Sequence, residues 1–98
     1  MSEQNINKIR TDGKVVASKG DLSLVKIYLG GDGTPDVLFT IIERFRNDIV
    51  VIGVGLFIDE AFLDAKRRAD AADNMAILQK VEALEKEYYS RIYERGRE

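Results

Sequence analysis

The 98-residue sequence has no cysteine and no histidine. These absences remove disulfides, thiolate chemistry, ordinary zinc sites and the usual proton shuttle near neutral pH. Any metal would be a hard ion such as Mg²⁺ held by carboxylates, and any general base an Asp, a Glu or a shifted Lys. Charge of one sign is lacking as well: the net charge is −2, with 7 basic and 7 acidic side chains in residues 1–58 and 8 and 10 in residues 59–98. No field exists that would recruit nucleic acid or an anionic membrane. Long apolar runs are also missing. The longest, from Ile49 to Ile58, is about half of the ~20 residues that span a bilayer, and the polar start MSEQNINKIR lacks an apolar signal core. The expectation is a cytoplasmic protein with no membrane and no nucleic-acid partner.

What is present is globular: 45% hydrophobic and 33% charged residues, enough for one core in one domain. Asp12-Gly13 suits a two-residue hairpin turn, and a second turn at Lys19-Gly20-Asp21 leads into LSLVKIYL, whose apolar residues occupy both faces as in a central, doubly covered strand. Thr34 as cap, Pro35 at the first helical position and Asp36 beside the positive dipole end predict a helix over 35–46, with Val37, Leu38, Ile41, Ile42 and Phe45 at helical spacing. The competing reading is a strand, because VLFTII is rich in β-formers and Asn47-Asp48 suits a hairpin turn into IVVIGVGLFI, completing a four-stranded meander. Ile49–Ile58 is a buried strand in both readings, with Gly53 and Gly55 marking close backbone approach or a bulge.

From Asp59, taken as a cap, the pattern is helical to Gly96. Such a helix would be about 55 Å long at 1.5 Å per residue, against the ~26 Å diameter of a compact domain of this size. It carries two apolar stripes: Phe62, Ala65, Ala69, Ala72 and Ala76, and then Ile77, Val81, Leu84, Tyr88 and Ile92. Their centres lie roughly 120° apart, so one flat partner does not cover both. Either the helix breaks near Asp73-Asn74, or the second stripe meets another chain. Lys66, Arg67 and Arg68 alternate with Asp64, Asp70 and Asp73, which reads as a solvated, ion-paired face. Tyr88, Tyr89 and Tyr93 read as lining a helix interface.

The loop GGDGT, Gly30 to Thr34, follows a strand and in the first reading opens a helix, the arrangement in which backbone N–H groups and a helix dipole hold a phosphate. The segment DLSLVKIYLGGDGTPDVLFTIIERFRNDIVVIGVGLFIDEAF, with its later Gly53 and Gly55, resembles the strand–GGDGT–helix–strand core of the NAD kinase and diacylglycerol kinase superfamily. The resemblance implies that Gly30, Gly31, Asp32, Gly33 and Thr34 bind nucleotide phosphates, with Asp32 assisting Mg²⁺ or the reacting hydroxyl. The β-rich second domain of those kinases has no counterpart here, and Pro35 replaces a larger residue. Read by itself, Gly-Gly-Asp-Gly is equally a tight turn. The carboxylates Asp32, Asp36, Glu43 and Glu60 match no metal-ligand spacing.

The sequence therefore predicts an α+β or small α/β domain: hairpin, central strand, short crossover helix, buried strand, long C-terminal helix. Its expected function is that of a non-catalytic binding or regulatory protein, a homo-oligomer assembled through Ile77, Val81, Leu84, Tyr88 and Ile92. An inhibitor or accessory factor of a phage or mobile element would suit that size and composition. The alternative is a nucleotide- or phosphate-binding module using Gly30–Thr34, with Mg²⁺ as its only cofactor.

Overall fold

The computed structural model describes residues 13–28 and 37–96, and shows an α+β fold: a four-stranded antiparallel sheet followed by two helices. Strands β1 (Lys14–Lys19), β2 (Leu22–Tyr28), β3 (Val37–Phe45) and β4 (Asp48–Gly55) lie in sequence order across the sheet. Gly20 takes φ 59° in the turn between β1 and β2, where the Lys19-Gly20-Asp21 signal placed one. Asp12 lies outside the described residues, and so does its proposed hairpin.

The crossover helix over 35–46 is not formed, nor is the parallel connection it implied. Val37–Phe45 is β3, paired antiparallel to β2 (Val25 opposite Thr40) and to β4 (Ile41 opposite Gly53). The turn before β4 falls at Arg46-Asn47, one residue earlier than Asn47-Asp48, and Arg46 takes φ 59°. The physical reason is that VLFTII is apolar at nearly every position, so its hydrophobicity fits a helical period and a strand period alike. Its β-branched and aromatic side chains then decide for the pleated sheet, where both neighbours satisfy its backbone.

The continuous helix from Asp59 is also replaced, by α1 (Ile58–Ala71) and α2 (Met75–Gly96). The break falls where the sequence allowed it. Asp73 sits at φ 54°, its N–H donates to Asp70 O at 3.0 Å, and Asn74 N–H reaches back to Ala69 O at 2.8 Å, which together close α1 in a Schellman motif. Asn74 then caps α2, its Oδ1 accepting from Ile77 N–H at 3.1 Å. Asp59 is not the cap of α1. That position is Phe57, which makes no side-chain capping bond, while Asp59 sits in the first turn and its Oδ1 accepts from Glu60 N–H.

The break resolves the two-stripe problem by laying both stripes on the same side of the sheet. Phe62, Ala65 and Ala69 of α1 and Val81 and Leu84 of α2 are buried with Ala17, Leu22, Leu24 and Ile41. Ala72 and Ala76, at the corner, are exposed. Phe62 packs against Tyr88 and Tyr89 with ring centroids 6.1 Å apart in both pairs, and Lys66 Nζ donates to Glu85 Oε1 at 2.9 Å across the helix pair. Lys80 ties α2 to the sheet through Glu43 (3.1 Å) and Asp21 (3.7 Å). The folded unit measures 39 × 37 × 22 Å, too short for a single straight ~55 Å helix.

Candidate functional site: the uncovered face and edge of the sheet

Directly opposed residues of antiparallel strands point to the same side, so the register sorts the side chains. Leu22, Leu24 and Ile41 face the helices. On the other side lie Val15 opposite Val25, Ser18 opposite Ser23, Ile27 opposite Leu38, Thr40 opposite Val54 and Ile42 opposite Val51. An antiparallel sheet packed on one face normally turns polar residues outward on the other. Here that alternation is missing. Val15, Ile49 and Val51 are about half exposed, and Val25, Ile27, Leu38 and Ile42 are partly so. Leu22–Tyr28 of this segment is thus an interior strand as expected, but among the described residues it is covered by helices on one face and uncovered on the other.

The bare face is not flat. A bulge opposite Leu24 and Val25 on β1 and another opposite Ile41 and Ile42 on β4 bend the edge strands, and a depression of about 420 Å³ opens between Val25, Ile27, Thr40, Ile42, Ile49 and Val51. Thr40 lies at its floor, 3% exposed, and its Oγ1 has no hydrogen-bond partner. Ser18 and Ser23 satisfy one another at 3.0 Å farther along. Asn47 and Asp48 supply the polar rim at the turn end.

The β4 edge of the sheet divides in two. In its C-terminal half, α1 sits directly on the strand: a Cβ at Gly53 would lie 2.6 Å from Ala65 N, and one at Gly55 2.5 Å from Ala61 N. Of the two readings of these glycines, close approach holds at both, while the bulge falls at Ile52, beside Gly53. Asp64 Oδ2 accepts from Val54 N–H at 2.9 Å, covering the outer edge there. In the N-terminal half, Ile49, Val50 and Val51 are exposed at 54%, 47% and 50%, three successive β-branched residues open on both faces of the strand.

The residues expected from the sequence fall differently. Gly30, Gly31, Asp32, Gly33 and Thr34 lie outside the described residues. The segment after them is a strand from Val37 onward, so the helix dipole that the phosphate-loop reading invoked over 35–46 is not supplied. Of the helical stripe, Val81 and Leu84 are wholly buried in the chain's own core, Ile77 and Tyr88 pack against that core, and Ile92 is 47% exposed. The stripe covers its own domain because the break at Asp73 folds it back. Arg68 pairs with Asp64 at 3.0 Å on the α1 face read as ion-paired. Tyr88 and Tyr89 meet edge to face at 5.1 Å, and burial pushes both phenols up from their usual value, with Glu85 and Asp59 adding to the effect at Tyr89.

Val15, Val25, Ile27, Ile42, Ile49 and Val51 are the surface that reading the sequence as doubly covered strands missed. The signal for it was quantitative: three strands apolar on both faces, but helical sequence at only one end of the chain. Among the described residues no group of three or more carboxylates is gathered in metal-binding geometry, and no helix is long and apolar enough to cross a membrane. Comparison with protein-family models, curated proteins and solved structures finds no match.

Proposed function

We propose that this chain is a non-catalytic binding or regulatory protein that works as an oligomer and docks a protein partner on the open face of its sheet. One observation carries the reading: the face turned away from the helices is apolar where a solvated sheet would be polar. The docking surface thus passes from the helical stripe of Val81 and Leu84, consumed by the core, to Val15, Val25, Ile27, Ile42 and Val51. A role as inhibitor or accessory factor needs no more than such a surface. The nucleotide reading, with Mg²⁺ at Asp32, rests on the Gly30–Thr34 loop alone, without a following helix.

Titration with a hydrophobic dye under native conditions, together with light scattering at high micromolar concentration, tests the proposal. The native chain binds dye, Val25→Glu and Ile27→Glu lose that binding with unchanged circular dichroism, and the scattering mass exceeds one chain. A native monomer that binds no dye would end the reading. Leu84→Glu separates it from assembly through the helical stripe, because it unfolds the chain here, whereas stripe-mediated assembly would yield a folded monomer.

A further inference from the structure

We infer that two copies of this chain join through the N-terminal halves of their β4 strands, edge to edge and antiparallel, making one continuous eight-stranded sheet. The inference rests on the oligomer reading above and specifies its contact. It starts from the hydrogen-bond parity of β4. Val54 N–H is bonded to Asp64, so it points away from β3 and its pair with Thr40 is a wide one. The two-residue turn at Arg46-Asn47 makes Phe45 and Asp48 the closing, mutually bonded pair. Alternation from that end makes Val50 with Glu43 a bonded pair and leaves Ile49 and Val51 with their N–H and C=O groups pointing outward. Among the described residues, the partner found on this outer edge is Asp64, at Val54, beyond the bulge.

The two edges of the sheet differ in their defences. β1 is bounded by Lys14 and Lys19 and reads KVVASK, the charged ends that discourage a second sheet from pairing. The exposed part of β4, Ile49-Val50-Val51, has no lysine and no proline, and among the described residues no helix covers it. Exposed β-branched edges of this kind pair with another strand.

The strand chosen is a second copy of itself because the edge offers its own complement: registers centred on Ile49, Val50 or Val51 all set outward-pointing residues against one another, and the one centred on Val50 engages both Ile49 and Val51 of each copy. Centring the two-fold on Val50 sets Ile49 against Val51 of the second copy and Val51 against its Ile49. Both are outward-pointing residues, so each pair exchanges two hydrogen bonds. Val50 meets Val50 in the wide pair between them. The contact is isologous and closes as a dimer. The same register runs the turn residue Arg46 alongside Val54 of the second copy, where Asp64 holds the outer edge, so opposite charges lie near one another at both ends of the seam. The open faces of the two sheets become one docking surface of twice the area.

Because the chain has no cysteine, a single introduced thiol reads the register. In a wide antiparallel pair the Cα atoms stand about 4.5 Å apart, within disulfide range. Val50→Cys alone therefore forms a disulfide-linked dimer under mild oxidation. Ile49→Cys and Val51→Cys do not cross-link alone, since like positions lie beyond the roughly 7 Å limit, but an equimolar mixture of the two does. Val50→Lys, which sets like charges directly opposite, shifts the dimer midpoint upward by at least about tenfold. Cross-linking at Val50→Cys no faster than at the other two positions overturns the edge contact. If light scattering still shows a wild-type dimer that Val25→Glu dissociates, the edge is refuted in favour of face-to-face packing while the oligomer reading stands. A wild-type monomer at high micromolar concentration refutes both.

Discussion

The two halves of β4 share one backbone strand and have opposite fates. From Gly53 to Gly55 the strand is sealed: glycines let α1 descend onto it, Ala61 and Ala65 present minimal side chains, and Asp64 covers an outward N–H. From Asp48 to Val51 it is exposed, with bulky β-branched residues that no helix among the described residues reaches. The bulge at Ile52 divides the two. The difference is one of side-chain size. Small residues bring a helix within backbone contact and end the edge there, whereas large apolar residues beyond the helix stay open to another chain.

Substitutions sharpen that contrast, the largest effect coming from the helix layer that seals the strand. Phe62→Ala removes the wholly buried ring that seats α1 against Tyr88 and Tyr89 and is expected to cost about 3–5 kcal/mol, read by chemical denaturation. Ile49→Ala at the bare end should cost less than ~1 kcal/mol in a dilute sample, and an equal loss at both positions would erase the distinction. Next, Gly53→Ala drives a Cβ into the backbone of Ala65 and Ala61 and is expected to destabilise by about 1–3 kcal/mol. Thermal unfolding checks it, and a neutral result would mean that α1 can stand off from the strand.

Smaller effects follow at the ends of the helices. Asp73→Gly relieves a left-handed non-glycine residue in the Schellman turn and should stabilise by up to ~1 kcal/mol, seen as a raised midpoint of unfolding. The pH dependence is smaller again. Burial raises Tyr88 and Tyr89, and the hydrogen bond to Glu43 raises Lys80. For groups whose folded pKa lies above the unfolded value, the stabilisation is complete below about pH 10 and is lost as pH rises through the folded pKa. Unfolding midpoints should therefore fall as pH rises above about 10, and Lys80→Gln should remove part of that fall.

Sequence patterns showed the α+β order, and they placed the turn at Gly20 and the special role of Gly53 and Gly55 because glycine's backbone behaviour is nearly unique; the helix break at Asp73-Asn74 was one of two readings they left open, beside the continuous helix that the structure replaces. Residues 37–45 were ambiguous for the opposite reason: a segment apolar on both strand faces also satisfies a helical period, and Thr34-Pro35 was a start signal without a helix to follow. Asp59 misled as a cap because acidic residues favour the whole first turn. The open face was invisible to periodicity. Seeing it required knowing that both helices, folded at Asp73, lie on one side, which leaves Val25, Ile27, Ile42 and Val51 uncovered by either helix. The same fold-back consumed Val81 and Leu84, the centre of the stripe read as an oligomer contact.

Amide hydrogen exchange, followed residue by residue along β4 in dilute and concentrated samples, tests the division of this strand most directly. Val54 N–H, held by Asp64, should be protected at both concentrations. The Ile49 and Val51 amides should exchange at nearly the free rate in the dilute sample and become protected in the concentrated one. Protection of Ile49 and Val51 that is already complete in the dilute chain, or that never changes with concentration, would contradict an edge left bare for a second copy.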